Sequence, residues 1–249
     1  MRWPFLFVAM LLLPVSAHSS RGWPAAGQRE YAGDVYDYAT CTVRNYHNRS
    51  RDLILADIDN AAMERKFGDL YTSKPLAFVS GCRELFLRDR QGIAIDPDLF
   101  RYALAAVLVK RDFANDPSAG FSNVAPLSHR APESEAQYQA KLGATGSEKR
   151  RAQIKFEHDK DLTQAWLAQF GECVARKNPV SAKDWIVSSP ESAAENAAIK
   201  QMSPEFSACL AEGEALTFPK TILRGTVAIN YYRLAMAMPV HSTGAAPNA

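Results

Sequence analysis

The residues whose types and spacing could carry chemistry are four cysteines, a set of recurring arginines and aspartates, two serines in matching places and one histidine between acids. Cys41, Cys82, Cys173 and Cys209 are even in number, and none stands in a CxxC pair. The five histidines are scattered, without ligand-like spacing to any cysteine, so two structural disulfides are expected rather than a metal site. No cofactor is expected either. His158 lies between Glu157 and Asp159 and has the composition of a general base or a ligand. The surrounding stretch is strongly charged and reads as an exposed segment, a poor place to hold a site rigidly. Ser80 and Ser207 occupy matching positions, but no histidine accompanies either, so a hydroxyl nucleophile lacks its base. The chain has no GxSxG, HExxH, P-loop or dinucleotide fingerprint. No catalytic residue is therefore assigned. Asn48-Arg49-Ser50 forms a glycosylation sequon and is read as a chance one.

The recurring positions belong to a weak internal duplication. Shifted by 132, Cys41 falls on Cys173, Arg44 on Arg176, Asp52 on Asp184 and Ile54 on Ile186, with Val35 on Leu167 and Tyr38 on Phe170. Shifted by 127, Ser80-Gly81-Cys82 falls on Ser207-Ala208-Cys209; shifted by 123, Arg101 falls on Arg224 and Lys110 on Arg233. The order of these matches, more than their number, argues for two copies. Each copy should then carry its own bridge, Cys41–Cys82 and Cys173–Cys209. Loops of that size stabilise a unit by about 4 kcal/mol on chain-entropy grounds. Units of roughly 70 residues bury small cores and gain from such a staple. The repeated Arg44, Arg176, Asp52, Asp184, Arg101 and Arg224 read first as structural ion-pair positions, with an Arg–Asp pair tying the first helix of a copy to the next element and satisfying carbonyls there, and second as anion sites, one per copy.

Local patterning is helical. Val35, Tyr38 and Cys41 fall at three-residue steps on one face, and Asp96-Pro97-Asp98 opens a helix with a stripe of Leu99, Tyr102, Ala106 and Val109. Residues 53–70 are mixed with helical leanings, and 76–87 read as a helix turning Cys82 inward. Ser203-Pro204-Glu205 reads as a capped helix start before Cys209. No alternating run demands a sheet. Between the copies, 115–132 is rich in turn formers, and the rest to residue 160 is helical and charged. The fold class expected is all-α: two similar disulfide-stapled helical repeats, 31–112 and 161–236, joined by a partly flexible linker at 113–160. A disordered tail is expected over 237–249.

Met1-Arg2-Trp3, the apolar run Phe5–Leu13 and Val15-Ser16-Ala17 form the pattern of a signal peptide cut after Ala17. No later run reaches the ~18 apolar residues of a spanning helix, so a periplasmic or secreted chain with no membrane span after cleavage is expected. The 249 residues carry 29 Lys+Arg against 27 Asp+Glu, a net charge of +2, which gives no field for nucleic acid.

Cys173-Val-Ala-Arg176, Ser188-Ser-Pro-Glu-Ser192, Met202–Leu210 and Ile222–Arg233 resemble segments of small exported alphaproteobacterial proteins of unassigned function. The resemblance covers about 165–235 and implies a bacterial periplasmic or secreted location, with no activity attached. The function expected is a non-enzymatic protein that binds a periplasmic protein or an envelope component beside or between the repeats. The alternative is a hydrolase of envelope material with its site between them. A cleft with perturbed carboxyls or a convergent histidine would favour the enzyme, and a shallow apolar or arginine-lined surface the binder.

Overall fold

The computed structural model describes residues 28–68, 70, 82, 96–116, 120–213 and 215–238, with side chains from residue 33 onward. The expected signal peptide, the helix over 76–87 with Ser80, and the tail past residue 238 lie outside the described residues. Among the described residues the chain is all-helical, with ten helices and no strand.

The first four helices are α1 (Gln28–Asn45), α2 (His47–Leu55), α3 (Asn60–Phe67) and α4 (Pro97–Phe113). Val35, Tyr38 and Cys41 of α1 face inward as their spacing predicts, each at most 3% exposed. The mixed 53–70 stretch resolves into the end of α2, a break and α3. Asp59 caps α3 by accepting from the Ala62 N–H at 2.7 Å. Asp96 caps α4 by accepting from the N–H groups of Asp98 and Leu99, with Pro97 at the first turn.

The remaining helices are α5 (Glu135–Gly143), α6 (Glu148–Lys177), α7 (Pro179–Val187), α8 (Ala193–Gln201), α9 (Ser203–Ala208) and α10 (Lys220–Ala237). Ser134 and Gln137 form a capping box on α5. Helix α6 runs unbroken through residue 160, where a boundary between linker and second repeat was expected. Its charged N-terminal half and apolar C-terminal half are one element, because nothing from Glu148 to Lys177 breaks the helical backbone. Helix α9 departs in its start. Ser203 is already helical, Met202 stands at the cap position, and the Ser203 hydroxyl donates back to Ile199 O.

The long helices α4 and α10 cross at the centre and pack on each other. Helix α1 covers α4, while α6 and α7 cover α10. Position at the centre explains why α4 is buried on more than the predicted stripe: Phe100, Leu104, Ala105, Val107 and Leu108 are buried as well. The buried side chains of both halves form a single cluster that runs from Val35 to Leu234. Trp185, Tyr38, Tyr232, Phe67 and Phe100 are its largest fully buried members, each contributing roughly 2–3 kcal/mol of transfer energy.

Two close approaches fix the centre. A Cβ at Gly225 of α10 would lie 2.1 Å from Tyr102 Cβ of α4, and one at Gly171 of α6 would lie 2.5 Å from Thr226 Cγ2. The disulfides are Cys41–Cys82 and Cys173–Cys209. The second joins α6 to the residue that ends α9.

The segment 120–134 has no helix, yet it is strapped to α6. Phe121 and Val124 are buried, and Phe121 packs edge-on to Tyr231 at 5.1 Å. The expectation of a flexible connection does not describe this stretch, since arginines and a glutamate of the helices satisfy its backbone polar groups.

Candidate functional site

Each recurring polar residue has a definite place. Arg224 of α10 is buried. Its Nη2 donates to the carbonyls of Ile186 and Ser188, both at 2.6 Å, and its Nη1 lies 3.4 Å from Glu195 Oε1. Arg101 of α4 donates from Nη1 to Ile58 O at 3.1 Å. Both guanidinium groups thus clamp the turn that follows a short helix, α7 in one case and α2 in the other. Arg176 donates to the carbonyls of Phe121, Val124 and Ala125 at 2.7–2.9 Å and to Glu172 at 2.7 Å.

Arg44 behaves differently. It is exposed, and its nearest polar partner is Cys41 Sγ at 3.9 Å. Asp52 is exposed and 3.6 Å from its neighbour Arg51, and Asp184 is exposed too. The expected Arg–Asp ties from first helix to second are therefore not formed. Arg176 pairs within its own helix with Glu172, which lies one turn back and faces the strap, whereas Asp184 points to solvent. Ser207 is exposed and donates to Ser203 O, an ordinary helix-surface hydroxyl.

Several groups with polar chemistry escaped the sequence reading. Glu172 accepts from the Leu127 N–H at 3.0 Å, lies 2.6 Å from His129 Nε2, and accepts from Arg176. Burial would raise its carboxyl, but the Leu127 N–H, Arg176 and His129 together hold it below the usual carboxylate range. His47 Nε2 lies 2.9 Å from Asp112, which also accepts from the Tyr232 hydroxyl at 2.8 Å, linking α2, α4 and α10. His158 is buried, not exposed as expected. It stacks on Tyr138 at 4.0 Å, with Glu133 and Glu135 oxygens 4.0 and 3.9 Å from its nitrogens. Helix α5 folds back over α6 and covers it, a tertiary event that composition does not encode.

A cleft of about 80 Å³ lies between the α2–α3 turn, α4, α6 and α10. That volume suits a few waters or a very small ligand. Arg101, Arg130 and Arg233 line it, together with Tyr102, Gln164 and Asn230. Arg130 pairs with Asp161, and Lys160 at the cleft's edge pairs with Asp98 at 2.7 Å. Asp98 also accepts from Gln164 at 2.8 Å. Arg233 donates to Ser128 O at 2.6 Å. Burial pushes the Arg233 guanidinium down from its usual range, with Asp57 and Glu172 opposing. Burial, with the Asp98 charge, pushes the Tyr102 phenol well up, so it remains a neutral donor at physiological pH. Asn230 is 1% exposed and donates to Thr226 O, while its Oδ1 has no partner.

A second cleft, of about 40 Å³, lies across α4 and α10 from the first. Arg224, Tyr36, Glu191 and Glu195 line it. Here the arginine is neutralised from within the chain: Glu195 is 3.4 Å from Arg224 and 3.0 Å from Lys220, which also pairs with Glu191. Among the described residues no group of three or more His, Cys, Asp or Glu side chains is placed to hold a metal ion. No described helix is long and apolar enough to cross a membrane. Comparison with protein-family models, curated proteins and solved structures finds no match.

Proposed function

We propose that this chain is an exported binding protein, built from two related helical units, that recognises a periplasmic protein or envelope component at the first cleft. The duplication draws support from the helix bounds. Helices α2 and α7 are nine residues each and 132 apart at both ends, while α4 and α10 begin 123 apart. One disulfide within each unit fits the same reading. So does the matched use of Arg101 and Arg224 to clamp the turn after the second helix. The three signal-peptide features, the paired cysteines and the resemblance of 165–235 to exported alphaproteobacterial proteins support export.

The observation that carries the binding role is the polar lining of the first cleft. Arg101 and Arg233 both line it with no ion pair to the lining acids Asp57 and Asp98, beside a neutral phenol and an unpartnered amide oxygen. Such a surface recognises charge and hydrogen bonds, and supplies no activated nucleophile. The three described histidines are each committed to a carboxylate or a ring elsewhere.

Photocrosslinking in intact cells tests this. A crosslinker at the exposed Asp57, on the cleft rim, should capture a discrete partner, while one at exposed Asp184 should not. Equal capture from both positions, or none, counts against the cleft as the binding surface. Intact mass of the exported protein should start at His18.

A further inference from the structure

The two clefts are counterparts under the duplication, and their difference points to what the first one takes. Arg101, Ile58 and Leu167 line the first, and Arg224, Pro190 and Val35 line the second, matched at the shifts of 123 and 132. In the second cleft the arginine meets a carboxylate of its own chain. Glu195 is the third residue past the N-cap Ser192 of α8. The third residue past the N-cap Asp59 of α3 is Ala62, so the first cleft has no such group. Arg101, like Arg224, places one guanidinium nitrogen on a turn carbonyl, Nη1 on Ile58 O where Arg224 uses Nη2 on Ile186 O and Ser188 O, and it lines the cleft.

Arg233 adds a second guanidinium from the opposite unit, held on Ser128 O. The acids nearby are Asp98, already bound to Lys160 and Gln164, Asp161, bound to Arg130, Glu172, bound to Arg176 and His129, and the exposed Asp57, which lines the cleft and with Glu172 acts on Arg233 at longer range. None lies within 4 Å of Arg101 or Arg233. At the cleft floor the Asn230 Oδ1, buried and without a partner, requires a donor.

We infer that the first cleft is a site for a small carboxylate carrying an adjacent hydroxyl or amine, which supplies to Arg101 and Arg233 the carboxylate that Glu195 supplies to Arg224, and a donor to Asn230. Two guanidinium groups from different helices match the two oxygens of one carboxylate. A volume of about 80 Å³ limits the ligand to a short acid. The site rests on the reading of the chain as a binding protein of two related units.

The test is titration of the purified mature protein with lactate, alanine, acetate and inorganic phosphate, followed by NMR of the Asn230 and arginine side chains. Lactate or alanine should give saturable shifts confined to the first cleft, acetate weaker ones, and phosphate none. R101M and R233M should each weaken lactate or alanine binding about tenfold or more, a loss of roughly 1.4 kcal/mol. Binding unchanged in both variants, or equal binding of phosphate, overturns the assignment.

A converse variant guards against misfolding of the first two. E195A vacates the second cleft's carboxylate, and added propionate should raise its thermal midpoint more than that of the wild type. No such rescue would break the equivalence between the clefts on which the assignment stands. The outcomes separate from the parent reading. Probes that do not bind while Asp57 still captures a partner remove only the carboxylate site. Conversion of a probe ester in the same sample removes the non-catalytic reading itself.

Discussion

Arginines that occupy matched positions in the sequence carry very different energetic weight. Arg176 holds three strap carbonyls and the carboxylate of Glu172, whereas Arg44 is exposed with only a sulfur nearby. Truncating Arg176 to Ala strands a buried carboxylate and three carbonyls and should cost about 2–4 kcal/mol in urea unfolding. Arg44→Ala should stay within about 0.5 kcal/mol. Glu172 adds a pH dependence whose sign follows from its depressed carboxyl. The group contributes stability above the unfolded carboxyl range near ~4.3, and that contribution is lost as pH falls through the lower folded value. Urea midpoints measured from neutral to acid pH should fall more steeply for the wild type than for E172Q. A second residue-scale test lies at the helix crossing. Gly225→Ala places a Cβ 2.1 Å from Tyr102 Cβ, an atom fixed to the α4 backbone, so the helices must separate. The cost should be about 3 kcal/mol, and Y102A in the same chain should recover part of it.

At the scale of elements, the strap 120–134 and the second disulfide do related jobs. Strap carbonyls are satisfied by Arg176 and Arg233, its Leu127 N–H by Glu172, and its Phe121 and Val124 side chains by the core. Limited proteolysis of the folded protein should leave it uncut despite its turn-rich composition. The Cys173–Cys209 bridge closes 36 residues and holds α9 against α6. Replacing both cysteines by Ala should remove about 4 kcal/mol, read from denaturant unfolding with a steeper slope, because the uncrosslinked unfolded chain exposes more surface. The helix starts at Asp59, Asp96 and Ser192 share one device, a short side-chain oxygen on an otherwise free N–H, of which the sequence reading picked out Asp96.

For the whole molecule, the central α4–α10 crossing matters most. Tyr102 and Gly225 correspond at the shift of 123 and also touch each other. Two large residues would collide there, so one is Tyr and the other Gly. The single buried cluster through both halves predicts one cooperative thermal transition, with calorimetric and van't Hoff enthalpies in agreement. Two separable transitions would mean that the halves are independent domains.

Helical class, the inward faces of α1 and α4, the cap at Asp96 and the paired cysteines were legible in the sequence because they rest on short-range periodicity, capping chemistry and cysteine spacing. What the repeated arginines do was decided by tertiary structure. Arg–Asp ties were expected where Arg176 instead finds Glu172, because the strap passes that side of α6. His158 was expected in solvent and is covered by α5. Sequence placed Lys110 opposite Arg233 as a basic pair but could not tell that only Arg233 reaches the cleft. Neither could it show that Asn230 is left without a donor there. Which polar groups meet depends on how helices far apart in the chain cross, and on close approaches at Gly171 and Gly225 that no local pattern records.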